Sequence, residues 1–241
     1  MGADGLHSNV RTLVFGNESH FEKYYGYYTA SFTIENYLQI DNSFLSYTIP
    51  GKQANIYPMK DNKLNTIFLF TSPQKLSYRH HDIDKQKQIL RNEFGNAEWE
   101  CPSLLAKLDT APDFYFDSVS QIKMNHWSND RVTLVGDACA CPSLIAAQGS
   151  TLAMVATYIL AGELKETNGN YRTAFQQYEN IFKPFIDNKQ KTAQRLAGSL
   201  IPKSNFGIWI RNTFFNLIFS SFVSKWLIKK FMTDKIELKE Y

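Results

Sequence analysis

Hydrophobic and polar residues alternate through positions 24–34 of this 241-residue chain. Tyr28, Ala30, Phe32 and Ile34 fall on one face, and Tyr27, Thr29, Ser31 and Thr33 on the other, the period-two pattern of a half-buried strand. Positions 44–49 and 54–59 predict further strands, parted by the turn signal Pro50-Gly51. Positions 64–71 are apolar on both faces, with Phe68 and Phe70 against Ile67 and Leu69, which predicts a central strand. Together these segments predict an antiparallel sheet.

The period then lengthens. Positions 82–94 predict a helix with Ile83, Ile89 and Leu90 inward and Gly95 as its stop. A shorter helix follows over 99–108, a strand over 114–124 and a short apolar strand over 132–135. Positions 148–164 predict a helix with Leu152, Val155, Ile159 and Leu160 on one side, and 171–196 a long helix interrupted at Pro184. Pro202 and Ser204-Asn205 break the chain before a last helix over 206–231. There Asn212, Asn216, Ser220 and Ser224 make a polar stripe, with Ile208, Phe215, Phe219, Phe222 and Trp226 largely opposite. Arg211 and Lys225 keep its uncharged run below the roughly 20 residues of a membrane span. Two readings stand: an amphipathic helix packed across two domains, or a peripheral membrane helix with Lys225, Lys229 and Lys230 at the headgroups.

Composition narrows the class. Aromatic residues reach 15% and acids nearly balance bases, leaving a net charge of +3. Such a chain buries a core and lacks the clustered basic face of a nucleic-acid binder, so no nucleic-acid partner is expected. Three cysteines, Cys101, Cys139 and Cys141, with no secretory signal, point to the cytoplasm rather than a disulfide framework. Cys139-Ala140-Cys141 has no accompanying cluster to complete a zinc site, so no metal is expected and the thiols read as buried filler. His80-His81 reads as surface.

The chemistry concentrates in RVTLVGDACACPSLIAAQGSTLA, from Arg131 to Ala153. A buried strand fixes the residue at its end. Gly136 lets a ligand approach the backbone. Asp137 then stands where open α/β sheets bind ligands, and its carboxylate accepts hydrogen bonds from hydroxyls, as on a polyol. The small residues that follow leave room for a flat group, and a helix starting at Gln148-Gly149-Ser150 offers N–H groups and a positive dipole end to developing negative charge. Polyol, flat ring and negative charge together describe a reduced flavin. The alternative is that Asp137 is only a capping or turn residue.

This stretch resembles the Gly-Asp motif of the group A flavin-dependent monooxygenases, the para-hydroxybenzoate hydroxylase superfamily, nearest the branch with tetracycline-inactivating enzymes. The opening GADGLHSNVR resembles the same family's Asp-Gly motif at Asp4, Gly5, Ser8 and Arg11. The order of motif, sheet and motif also matches. The resemblance implies FAD held by Gly136, Asp137, Gln148, Gly149, Ser150, Asp4 and Arg11, with Asp137 on the ribityl chain and no catalytic side chain of the protein's own. It further implies NADPH or NADH as reductant, and molecular oxygen and an aromatic or polycyclic small molecule as substrates, hydroxylated through a flavin hydroperoxide. Leu144 and Ala147 stand where the family's loop usually carries Pro and Gly.

The implied fold is α/β (α+β). An incomplete Rossmann-like FAD-binding domain comprises 1–20 and 126–200, an inserted antiparallel-sheet substrate domain covers 21–125, and a C-terminal helical segment covers 201–241. Tyr47, Tyr57, Met59, Phe68 and Phe70 are either substrate walls or core. No two glycines stand two positions apart, so the family's Gly-x-Gly-x-x-Gly is absent. The expectation is a C-terminal portion of a larger flavoprotein, binding FAD weakly or not at all alone and completed by an N-terminal half that is separately encoded or otherwise supplied. The other functional classes are a non-enzymatic remnant or binding module, and a flavin-dependent halogenase or reductase on the same scaffold.

Overall fold

In a computed structural model the protein is described over residues 1–146, 148–198, 200–219, 236 and 238–241. Its elements run α1 (Asn9–Phe15), β1 (Glu22–Glu35), β2 (Leu45–Ile49), β3 (Lys52–Met59), β4 (Lys63–Thr71), α2 (Ile83–Phe94), α3 (Cys101–Lys107) and β5 (Phe114–Ile122). There follow β6 (Ser128–Asn129), β7 (Val132–Thr133), α4 (Asp137–Ala140), α5 (Gly149–Glu166), α6 (Tyr171–Ala197) and α7 (Asn205–Phe219). Contacts divide the described chain into two compact units. One holds residues 1–25, 120–200 and the C-terminal residues; the other holds 26–119 and 201–219.

The second unit is built on a sheet of strand order β2-β3-β4-β1-β5, in which β1–β4, β2–β3 and β3–β4 pair antiparallel. Register sets Ala30 beside Phe68 and Phe68 beside Ala54, so the apolar positions of three strands share one face. There Phe32 stacks on Phe68 at 5.8 Å, Tyr28 stacks on Phe70 at 5.7 Å, and Phe94 of α2 meets Phe68 edge-on at 4.8 Å. Phe68 and Phe70 are fully buried in this layer and therefore core, not substrate wall. The centre of β1 is also buried on both faces rather than half-buried, because Thr29 and Thr33 are enclosed along with its apolar row.

Helix α2 corrects a second expectation. Ile83 is 49% exposed, and the inward row is Gln86, Leu90 and Phe94. Asp82 accepts from the Lys85 N–H and starts the helix, which turns Ile83 outward on its first turn. In α7, Phe206, Trp209, Ile210 and Phe214 lie exposed, while Arg211 Nη2 donates to Thr48 Oγ1 of β2 at 2.9 Å. The side chains of Phe215, Asn216 and Phe219, together with Ser220, Phe222, Ser224, Lys225, Trp226, Lys229, Lys230 and Ala147, fall outside the described residues. Among the described residues no helix is long and apolar enough to cross a membrane.

The first unit centres on α5 and α6. Trp127, Tyr178 and Phe182 pack together, with ring centroids of Trp127 and Tyr178 5.3 Å apart. Helix α6 runs unbroken through Pro184, so the expected interruption does not occur. Its continuation carries buried Gln190, whose Nε2 donates to the Ile122 carbonyl at 2.7 Å and the Cys141 carbonyl at 3.0 Å. A buried amide donating to these two carbonyls, the second of which also accepts the Ile122 N–H at 3.3 Å, fixes the loop after α4. The strand expected over 132–135 shortens to β7, paired with β6, followed by a single parallel bridge between Gly2 and Leu134.

Candidate flavin site

Both candidate motifs lie in the first unit, and the backbone sets them side by side. Gly2 N–H donates to the Thr133 carbonyl at 2.8 Å, and Val135 N–H to the Gly2 carbonyl at 2.9 Å. A Cβ on Gly2 would stand 2.6 Å from Leu134 Cδ2, so only glycine allows this approach. From there the chain turns into α1. Asp4 accepts from the Ser8 hydroxyl at 2.5 Å and the Val10 N–H at 3.1 Å, and Ser8 Oγ caps the helix by accepting from Arg11 N–H at 2.9 Å. Burial alone would raise the Asp4 carboxyl; the hydrogen bonds from Ser8 and Val10 outweigh it, and the net shift is downward.

Arg11 is fully buried. Its Nη1 donates to the Ala138 carbonyl at 2.8 Å; its Nη2 donates to the Leu6 carbonyl at 2.6 Å and to Glu18 Oε2 at 2.5 Å. The guanidinium thus ties the Asp-Gly segment to the helix turn of the Gly-Asp segment. The sequence pointed to Arg11 but not to Glu18 or to the Ala138 carbonyl. A main-chain acceptor has no sequence signature, and Glu18 sits in the polar run Asn17-Glu18-Ser19-His20, which reads as loop.

Gly136 has φ 62° and ψ −141° and precedes the four-residue helix α4, in which Asp137 is the first residue. This sharp turn points the Asp137 carboxylate at the start of α5: its oxygens lie 3.8 and 3.9 Å from where a Cβ on Gly149 would stand. Burial raises the Asp137 carboxyl, opposed by a hydrogen bond from the Cys141 thiol. Gln148 precedes α5 with its carbonyl accepting the Leu152 N–H at 3.0 Å, and its side chain makes no cap. Gly149 is half-buried and Ser150 exposed. The N–H groups that open α5 have no intrahelical acceptor. The structure therefore brings Gly136, Asp137, Gln148, Gly149 and Ser150 to one turn, and sets Asp4 and Arg11 beside it through the parallel bridge.

The description "FAD binding domain" belongs to the family that matches residues 1–186. The chain belongs to this FAD-binding domain family. Within the family, a flavin-dependent monooxygenase of Legionella longbeachae is 37% identical over 215 residues, covering 89% of this chain and 51% of that protein. Monooxygenase CTB7 of Cercospora beticola is 31% identical over 257 residues, covering 100% of this chain and 60% of its own. The crystal structure of tetracycline destructase Tet(51) superposes with a TM-score of 0.82 at 32% identity, over 100% of this chain and 61% of that one. The chain spans about half the length of the first curated relatives it matches.

The FAD-binding family's cofactor suits this turn. A partly buried carboxylate whose own ionisation is disfavoured gains from hydroxyl donors. At Gly149 a Cβ would meet the Asp137 carboxylate oxygens, so the glycine leaves that side of the carboxylate uncovered.

Proposed function

We propose that this chain supplies the isoalloxazine-side portion of an FAD-dependent monooxygenase. The observation that carries the reading is the Asp137 carboxylate, held by the Gly136 turn against the first turn of α5 and coupled to the Asp-Gly segment. Asp137 would accept the polyol hydroxyls, and the opening N–H groups of α5, at Gly149 and Ser150, would face the electron-rich edge of the ring. Arg11, being fully buried, holds the turn rather than the ligand. Bound FAD supplies the redox chemistry, taking electrons from NADPH or NADH and delivering them to oxygen for insertion into the substrate. The adenosine end requires a Gly-x-Gly-x-x-Gly segment that this sequence does not contain, so a polypeptide carrying one would complete the site.

The substrate reading falls on the sheet face opposite the phenylalanine core. There Ser31 donates to Asn65 Oδ1 at 2.7 Å and Asn65 Nδ2 to the Tyr57 hydroxyl at 2.7 Å, beside Ile67 and Leu69. This mixture of aromatic, amide and hydroxyl groups suits a flat, hydroxyl-rich, fused-ring compound, and a tetracycline is the first to test. The deciding experiment combines this chain with an N-terminal segment of a relative and measures FAD retention and substrate-stimulated NAD(P)H oxidation. Asp137→Ala should lower FAD retention at least tenfold, the equivalent of losing a charge-assisted hydrogen bond. Unchanged retention would remove Asp137 from the site, and ligand affinity without oxidation would favour a binding module.

A further inference from the structure

Glu18 belongs to neither motif, yet its carboxylate closes the charge network behind the turn. It opens a single 3-10 turn, Glu18–His20, and its side chain is 24% exposed. Oε2 accepts from Arg11 Nη2 at 2.5 Å and Oε1 meets His7 Nδ1 at 2.8 Å. The guanidinium it faces has no exposure and is planar, with its donors in a fixed fork, so the direction of Nη1 follows from where the counter-charge holds Nη2. Arg11 Nε is buried without a protein partner, so beyond Glu18 the guanidinium is held only by the Leu6 and Ala138 carbonyls, neither of which carries a charge. A buried cation that loses its counter-charge must move or draw in water, because leaving it unpaired is strongly unfavourable. Either response takes the donor away from the Ala138 carbonyl, one residue beyond Asp137.

We propose that Glu18 is a positioning residue for the flavin turn: through Arg11 it holds the Ala138 carbonyl and thereby sets the orientation of the Asp137 carboxylate. This rests on the flavin reading above. The turn has its own reporters, since the N–H groups of Cys139 and Ala140 donate to the Gly136 carbonyl at 3.2 and 3.0 Å.

The test is amide hydrogen exchange of the full chain, read at residues 136–141, with FAD affinity measured by fluorescence titration after the chain is combined with the N-terminal segment of a relative. Glu18→Gln should accelerate exchange there about tenfold or more, the equivalent of a lost hydrogen bond to a charged group, while α6 keeps its protection. Arg11→Lys should do the same, and the double variant should show less than the sum. Glu18→Asp, which restores the charge one methylene short, should recover part of the protection. FAD affinity should fall about tenfold in parallel with the loss of one such bond. Unchanged exchange at 136–141, or acceleration spread evenly through α6, overturns the proposal. Accelerated exchange with unchanged FAD affinity overturns its link to flavin. If the wild-type chain combined with the N-terminal segment of a relative takes up no FAD, that counts against the flavin reading itself, while the exchange result still decides whether Glu18 sets the turn.

Discussion

Arg11 Nη1 donates to the carbonyl of Ala138 at 2.8 Å, across 127 positions of sequence. That bond, with the parallel bridge of Gly2 and Leu134, makes one site of two distant motifs.

Gly136→Ala should destabilise the protein by about 1–3 kcal/mol, because φ there is 62° and the new Cβ would stand 3.1 Å from Ala153 Cβ. In a chain of this length the melting temperature should fall by roughly 2–10 °C. Thermal unfolding followed by circular dichroism checks it; an unchanged midpoint would mean the turn relaxes without strain.

Asp137→Asn should raise the melting temperature while weakening flavin binding. Burial lifts the folded carboxyl above its unfolded value of 3.8, so ionisation costs the folded state. The sign follows: the acid's favourable contribution is present below the unfolded value and lost as pH rises through the higher folded one. The variant's advantage should be absent at low pH and reach on the order of 1–2 °C at neutral pH. Melting curves across pH 3–8 test this, and a variant less stable at neutral pH contradicts it.

Pro184→Ala should stabilise α6. Pro184 is exposed and inside an unbroken helix, where it removes an N–H donor and crowds the carbonyl four residues earlier. The gain should reach up to about 3 kcal/mol, measured by urea unfolding. A loss would mean that the proline ring is needed to place Gln190.

Gly162→Ala should unseat the C-terminal tyrosine. A Cβ at this position would stand 2.2 Å from the Tyr241 ring, whose hydroxyl donates to buried Glu163 Oε1 at 2.9 Å. Nuclear magnetic resonance of the Tyr241 ring should show loss of its contacts with α5, leaving the core of Trp127, Tyr178 and Phe182 unchanged. A ring still seated would refute the steric argument.

The strands were legible because alternation is a local signal, and the register of Phe32 with Thr66 follows the pattern of burial. Asp137 and Gly136 were legible because their types and spacing carry chemistry. What escaped was decided by tertiary contact. Ile83 is apolar but sits on the first turn of α2, where the Asp82 cap turns it to solvent. Pro184 breaks an isolated helix, whereas packing of Tyr178, Phe182 and Ile186 on either side of it keeps α6 whole. Glu18 lay in a polar run, and only the fold brings Arg11 and His7 to its carboxylate.

The sulfur beside this turn has a practical consequence. Burial pushes the Cys139 thiol well above its usual range, so almost none of it is thiolate at neutral pH. Peroxide escaping from a flavin that wastes its electrons attacks thiolates, and here it would meet a protonated, enclosed –SH. On the flavin reading proposed above, Cys139 should resist such peroxide, and native-state alkylation there should be negligible until the chain unfolds.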